Sequence, residues 1–170
     1  MVNLKDKALL RKLKEIREWA ERVQENMPES SSTSLQNMCA PTSILIYQYL
    51  KDKANDVKIY DNRRHSFVVA DGWIIDVTAT QFNEDFPKIL IHELENKNIL
   101  HRKTFGYPYS SKTAFNDETL MDKWKGLDGQ LRIAILAAKE TSLTKKEKEE
   151  FKELAKIRPY AKAFMERNNF

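Results

Sequence analysis

The chain has 170 residues, 41% of them hydrophobic and 32% charged, with a formal net charge of +4. That length fits one domain, 1–170, whose core hides roughly two-thirds of the unfolded surface. Four glycines and no G-x-G-x-x-G or Walker pattern exclude a phosphate-cradling loop, and interleaved charges of both signs give no reason to expect a nucleic-acid partner.

Leu10, Leu13, Ile16, Ala20, Val23 and Met27 recur at helical spacing, so residues 4 to 27 read as an amphipathic helix that Met27-Pro28 ends. This N-terminus is charged throughout and lacks the apolar stretch of a signal peptide. The expected location is therefore the cytoplasm, or a target cell reached without an ordinary signal. The polar stretch "ESSSTSLQN" follows, with Ser34 or Asn37 placed to cap a second helix from Cys39 to Lys51. Pro41 is tolerated in its first turn, where amides have no helical partner. Its apolar run "ILIY", 44 to 47, is far too short to span a bilayer, so no membrane span is expected. Cys39 is the only cysteine, which rules out an intramolecular disulfide and a multi-cysteine zinc site.

"VKIY", 57 to 60, is a short strand candidate, and 65 to 78 reads as a hairpin. "KILIHEL" after it suits a strand or a short helical segment. The stretch "RKTFGYPYSSKTAF", 102 to 115, is aromatic and turn-rich, with the character of a binding loop. Helical patterns return at 117–125 and 129–140. Thr144 with Glu147 fits a capping box for a charged helix running to about Ile157, and Pro159 separates a short terminal helix. A catalytic core at about 30–110 would thus carry helix 4–27 on one side and helices within 117–168 on the other.

Asp71-Gly72 is a strong two-residue hairpin signal, because a type I′ turn needs positive φ at both central positions. The turn sets Ala70 opposite Trp73, Phe67 opposite Asp76 and His65 opposite Thr78. His65, Phe67, Val69, Ile74, Asp76 and Thr78 then share one face, with Ser66, Val68, Ala70, Trp73, Ile75 and Val77 on the core side. His65 and Asp76 are diagonal neighbours about 7–8 Å apart along the backbone, within reach of an imidazole. A cysteine in the first turn of a helix feels the positive end of the dipole, which favours the thiolate. Cys39 as nucleophile, His65 as base and Asp76 as orienter would form a triad. Taken singly, each has an ordinary structural explanation; the shared hairpin face is what groups them.

"NMCAPTSILIYQYL" followed by "HSFVVADGWIIDVTATQF" resembles the papain-like cysteine hydrolase superfamily, in particular its transglutaminase-like and papain-fold toxin branches. The likeness covers roughly residues 35 to 85. It implies a minimal papain-like α+β fold, in which the cysteine-bearing helix packs on a small antiparallel sheet. It also implies amide-bond chemistry through an acyl-thioester: peptidase, amidase or protein-glutamine deamidase, with an acyl or amine transferase as alternative. Cys39 would be nucleophile, His65 base then acid, and Asp76 the orienting group. The substrate would be a protein or peptide, and an effector or toxin role would bring a host or immunity protein as partner. Gln36, Asn37 and Gln81 are candidates for oxyanion or substrate contacts, with the Cys39 amide as the default donor. The stretch between Cys39 and His65 is shorter than in most relatives, and papain's upstream glutamine has no clear match here. No cofactor and no metal are expected, since His92 and His101 lack a short ligand spacing toward His65. Arg63, Arg64, Lys58 and Lys88 read as a solvated basic edge. A non-catalytic helical interaction module on the same scaffold is the alternative from a different class.

Overall fold

The computed structural model describes residues 6–25, 35, 38–61, 65–96, 100–106, 114–115 and 144–157. Helix α1, Lys7–Glu25, starts where the Asp6 carboxylate accepts the Ala8 amide at 2.9 Å, an N-cap that satisfies one of the first unbonded amides. Leu9, Leu13, Ile16 and Ala20 form its buried stripe. The outer face carries Arg11–Glu15, Lys12–Glu15 and Lys14–Glu18 pairs at helical spacing. Leu13, Ile16 and Ala20 fall on the face expected, but Leu9 rather than Leu10 heads the stripe, Leu10 being 40% exposed.

Helix α2, Cys39–Leu50, begins on the residue expected. Its N-cap position is Met38, with no side-chain cap; the expected caps Ser34 and Asn37 lie outside the described residues. The Thr42 hydroxyl donates instead to the Met38 and Cys39 carbonyls, at 2.8 and 3.1 Å. Ile44, Ile46, Tyr47 and Leu50 are buried, while Gln48 points to solvent.

Strands β1, Val57–Asp61, β2, Ser66–Ala70, β3, Trp73–Asp76, and β4, Leu90–Glu93, form an antiparallel sheet with a two-residue β5, Ala114–Phe115. The spatial order is β4-β3-β2-β1-β5. The fold is therefore α+β, with the cysteine-bearing helix packed on a small antiparallel sheet. Asp71 and Gly72 both have positive φ, 48° and 83°, as a type I′ turn requires. Ala70 pairs with Trp73, Val69 with Ile74 and Val68 with Ile75, the register that this turn dictates. The Asp71 carboxylate also accepts the Asn55 and Asp56 amides at 2.9 and 3.0 Å, which ties the turn to the entry of β1.

One sheet face, with Ile59, Val68, Ala70, Ile75 and Val77, packs against α1 and α2 residues such as Leu13, Ile16, Ile44 and Leu50. Each fully buried aliphatic side chain there contributes about 1.5–3 kcal/mol. The opposite face is buried too. Phe67, Val69, Ile74 and Leu90 of that face pack with Ala79 and Phe86 from the chain over it, and Phe105 packs against them. The covering chain comprises a 3-10 turn at Ala79–Gln81 and helix α3, Leu100–Phe105.

The stretch 102–115, expected to be a binding loop, opens inside α3 and closes in β5, with 107–113 outside the described residues. Helix α4, Lys145–Ile157, starts directly after Thr144 and ends where expected. The helices expected at 117–125 and 129–140, the break at Pro159 and the terminal helix also lie outside the described residues. Among the described residues no helix is long and apolar enough to cross a membrane.

Candidate functional site

Asp76 is the last residue of β3 and is 2% exposed. A carboxylate removed from water needs its lone pairs satisfied, and the local sequence supplies the first donors. Oδ1 accepts the Thr78 amide at 2.8 Å and the Thr78 hydroxyl at 3.1 Å, the short-range turn that an aspartate makes with the residue two ahead. The turn leaves Oδ2 aimed at two imidazoles. His65 Nε2 lies 2.5 Å from it and His101 Nε2 3.3 Å. His65 is 1% exposed and His101 is fully buried.

The backbone beyond Asp76 is clamped from α1. The buried Arg17 guanidinium donates from Nη1 to the Val77 carbonyl at 2.6 Å and to the Thr80 hydroxyl at 2.8 Å. Its Nε bonds Glu21 at 2.8 Å. Arg17 thus fixes the exit of β3, and with it the Asp76–Thr78 turn. Nothing in the helical periodicity of α1 marks this residue, because the spacing of charges around it suits a solvated face.

Aromatic rings wall the two imidazoles. The Phe105 ring stacks on His65 at 4.4 Å between centroids, and Phe82 meets it edge-on at 4.9 Å. Phe67 and Phe105 each lie 4.5 Å from His101.

The two histidines have opposite charge preferences. Burial works against a charged His65 ring, yet the Asp76 charge and hydrogen bond outweigh it, with smaller help from a hydrogen bond and charge interaction with Cys39, and raise its pKa to about 9. Burial likewise pushes Asp76 toward the neutral acid. The His65 charge and hydrogen bonds from His101 and His65 overcome that, holding its pKa well below the usual carboxylate range. For His101 burial prevails over the Asp76 interaction, helped by the charges of His65 and His92, and its pKa is lowered. The resulting state at neutral pH is an imidazolium at His65, a carboxylate at Asp76 and a neutral ring at His101.

Cys39 is the first residue of α2 and is partly exposed. His65 stands one residue before β2, at the end of the sheet. With Nε2 committed to Asp76, Nδ1 is the nitrogen left for the cysteine side. The Gln81 side-chain amide lies 3.5 Å from that same Nδ1.

Of the expected site residues, His65, Asp76 and Gln81 are gathered here, and Cys39 is among the smaller influences that raise His65. Gln36 and Asn37 lie outside the described residues. His92 pairs with Ile74 across β3 and β4. Of the basic edge, Lys58 meets Asp56 at 2.8 Å and Lys88 meets Glu21 at 3.1 Å, while Arg63 and Arg64 lie outside the described residues. His65, Asp76 and His101 also form a buried set of three donors, all within 4.8 Å of one another, that could hold a metal ion. Among known proteins, the chain matches no family model, no curated protein and no solved structure.

Proposed function

We propose that the protein is a cysteine hydrolase acting on amide bonds through an acyl-thioester, with Cys39, His65 and Asp76 as nucleophile, acid-base and orienting group. One observation carries the reading. A buried, hydrogen-bonded Asp76 holds Nε2 of His65 at 2.5 Å, while the same imidazole interacts with a partly exposed cysteine at a helix start.

In the proposed cycle the Cys39 thiolate attacks the amide carbonyl carbon. The carbonyl π electrons move to oxygen, where the Cys39 backbone amide is available because the first amides of a helix have no intrahelical acceptor. The Gln81 amide is the second candidate donor to that oxygen. His65 then gives its proton to the departing nitrogen, the C–N bond breaks, and an acyl-thioester remains. The neutral imidazole takes a proton from water, whose hydroxide oxygen attacks the thioester carbon. The C–S bond breaks, thiolate and imidazolium return, and a carboxylic acid leaves. An amine in place of water would give transfer instead of hydrolysis. Asp76 stays ionised throughout and orients the ring.

This reading keeps the papain-like resemblance as its family expectation. Peptides and protein glutamine side chains are the substrate classes to assay. Parent and Cys39→Ala protein are compared for release of amine or ammonia from a peptide library containing glutamine. The expected outcome is loss of product with unchanged circular dichroism; equal product from the variant would end the proposal.

The three-donor set favours a second reading, a metal centre built from His65, Asp76 and His101. Two donors about 2.1 Å from one ion sit about 3.0–3.4 Å apart. The His101–Asp76 spacing of 3.3 Å fits that geometry and the His65–Asp76 spacing of 2.5 Å does not. The short contact is a charge-assisted hydrogen bond, so the thiol reading takes precedence. Stoichiometric metal in protein purified without chelator, lost in Asp76→Asn, would reverse that order.

A further inference from the structure

We infer that His101 is a positioning residue of this site: a second imidazole whose Nε2–H donates to Asp76 Oδ2 and keeps that oxygen aimed at His65. The inference rests on the thiol hydrolase reading and adds a residue to it.

The argument starts from what a buried carboxylate needs. Asp76 Oδ1 is satisfied by Thr78 alone, through the amide and the hydroxyl. Oδ2 carries the functional contact to His65, and a single donor would leave that oxygen under-satisfied in a dry aromatic pocket. His101 supplies the second donor at 3.3 Å. Its ring is itself immobilised, edge-on to Phe67 and tilted against Phe105 at 4.5 Å each. Phe105 in turn stacks on His65, so α3 delivers a hydrogen bond to one member of the pair and an aromatic wall to the other.

A protonated His101 would defeat this purpose, since a second cation 6.0 Å from the His65 ring would repel the imidazolium on which acid catalysis depends. The groups acting on His101 are Asp76, which favours its charged form, and His65 and His92, which oppose it. The neutral ring donates a hydrogen bond without competing for the negative charge of Asp76.

Replacement then separates donor from bulk. His101→Gln keeps an N–H and stays neutral, whereas His101→Met keeps bulk and loses the donor. Alkylation of Cys39 by iodoacetamide reads the result without a substrate. With the donor gone, Oδ2 is no longer held on the His65 ring, the hydrogen bond between them loosens, and the imidazolium beside Cys39 is less favoured. We expect His101→Met to react roughly tenfold more slowly than parent near pH 6, with equal rates near pH 9.5. His101→Gln should stay within about threefold of parent at both.

Parent-like rates for His101→Met near pH 6, or an equal loss in His101→Gln, would overturn the inference. Nitrogen-15 NMR of the parent supplies a reading that needs no variant: a hydrogen on Nε2 of His101 between pH 7 and 9 supports it, and a bare Nε2 overturns it. A parent whose Cys39 reacts like an ordinary free thiol would instead strike at the hydrolase reading, which keeps the two failures apart.

Discussion

Replacing Asp76 with Asn removes the charge that sustains the His65 imidazolium, and the consequence for stability can be worked out in advance. Raising His65 from 6.5 to about 9 corresponds to about 3 kcal/mol in favour of the folded, protonated pair. A folded pKa above the unfolded one gives a contribution that is full below about 6.5 and disappears as pH rises through about 9. Asp76 has the opposite sign: its contribution is present above the ordinary aspartate value of 3.8 and is lost only as pH falls through its depressed folded value. Between about pH 6 and pH 9.5 the His65 contribution therefore dominates the difference between the two proteins. A thiol also titrates in this window when unfolded, so both proteins should carry Cys39→Ser. Cys39 is among the smaller causes of the His65 shift, and most of the effect survives that change. His101 is lowered in the parent, chiefly by burial, and losing Asp76 only removes an influence that favoured its charged form, so it brings no new titration into this window. Urea unfolding should show Asp76→Asn less stable by about 3 kcal/mol near pH 6, with the gap closing by about 2–3 kcal/mol near pH 9.5. A gap that stays constant, or widens with pH, would refute the reasoning.

Two further outcomes follow from the same geometry. Arg17→Met, which removes the hydrogen bonds to Val77, Thr80 and Glu21, should lower stability by about 2–4 kcal/mol in urea titrations. It should also slow Cys39 alkylation, because the exit of β3 positions Asp76; an effect within experimental error on both counts would show that the clamp is dispensable. Gln81→Ala leaves the core intact, and its urea midpoint should match the parent. Its turnover on an amide substrate should fall by about 10²-fold if the side chain stabilises the oxyanion, and an unchanged turnover would assign that role to the Cys39 amide alone.

The hairpin was readable in advance because its information is local. Asp71 and Gly72 at positive φ fix a register, and register alone decides that His65 and Asp76 share a face. Helix α2 was readable for a similar reason, since Pro41 belongs in a first turn and Cys39 precedes it by two residues. What could not be read depends on segments that meet only in three dimensions. His101 reaches Asp76 from a helix 25 positions downstream, and Arg17 reaches Val77 across 60 positions; neither spacing has a motif. The turn-rich look of 102–115 concealed the end of α3, because six residues are too few to display a helical period. Burial on both faces of the hairpin was missed as well. Alternation in β2 is apolar on either side, as Phe67 and Val69 against Val68 and Ala70, and such runs do not say which face is covered.

The central claim is that His65, held by Asp76, activates Cys39. The most direct test is the pH dependence of Cys39 alkylation in the parent and in His65→Gln. The parent should react rapidly and almost independently of pH from about 6 to 8, below the range in which an ordinary thiol ionises. His65→Gln should lose that plateau and react only as pH approaches about 8.5. A parent that follows the curve of a free thiol, or a His65→Gln variant that keeps the plateau, would contradict the account.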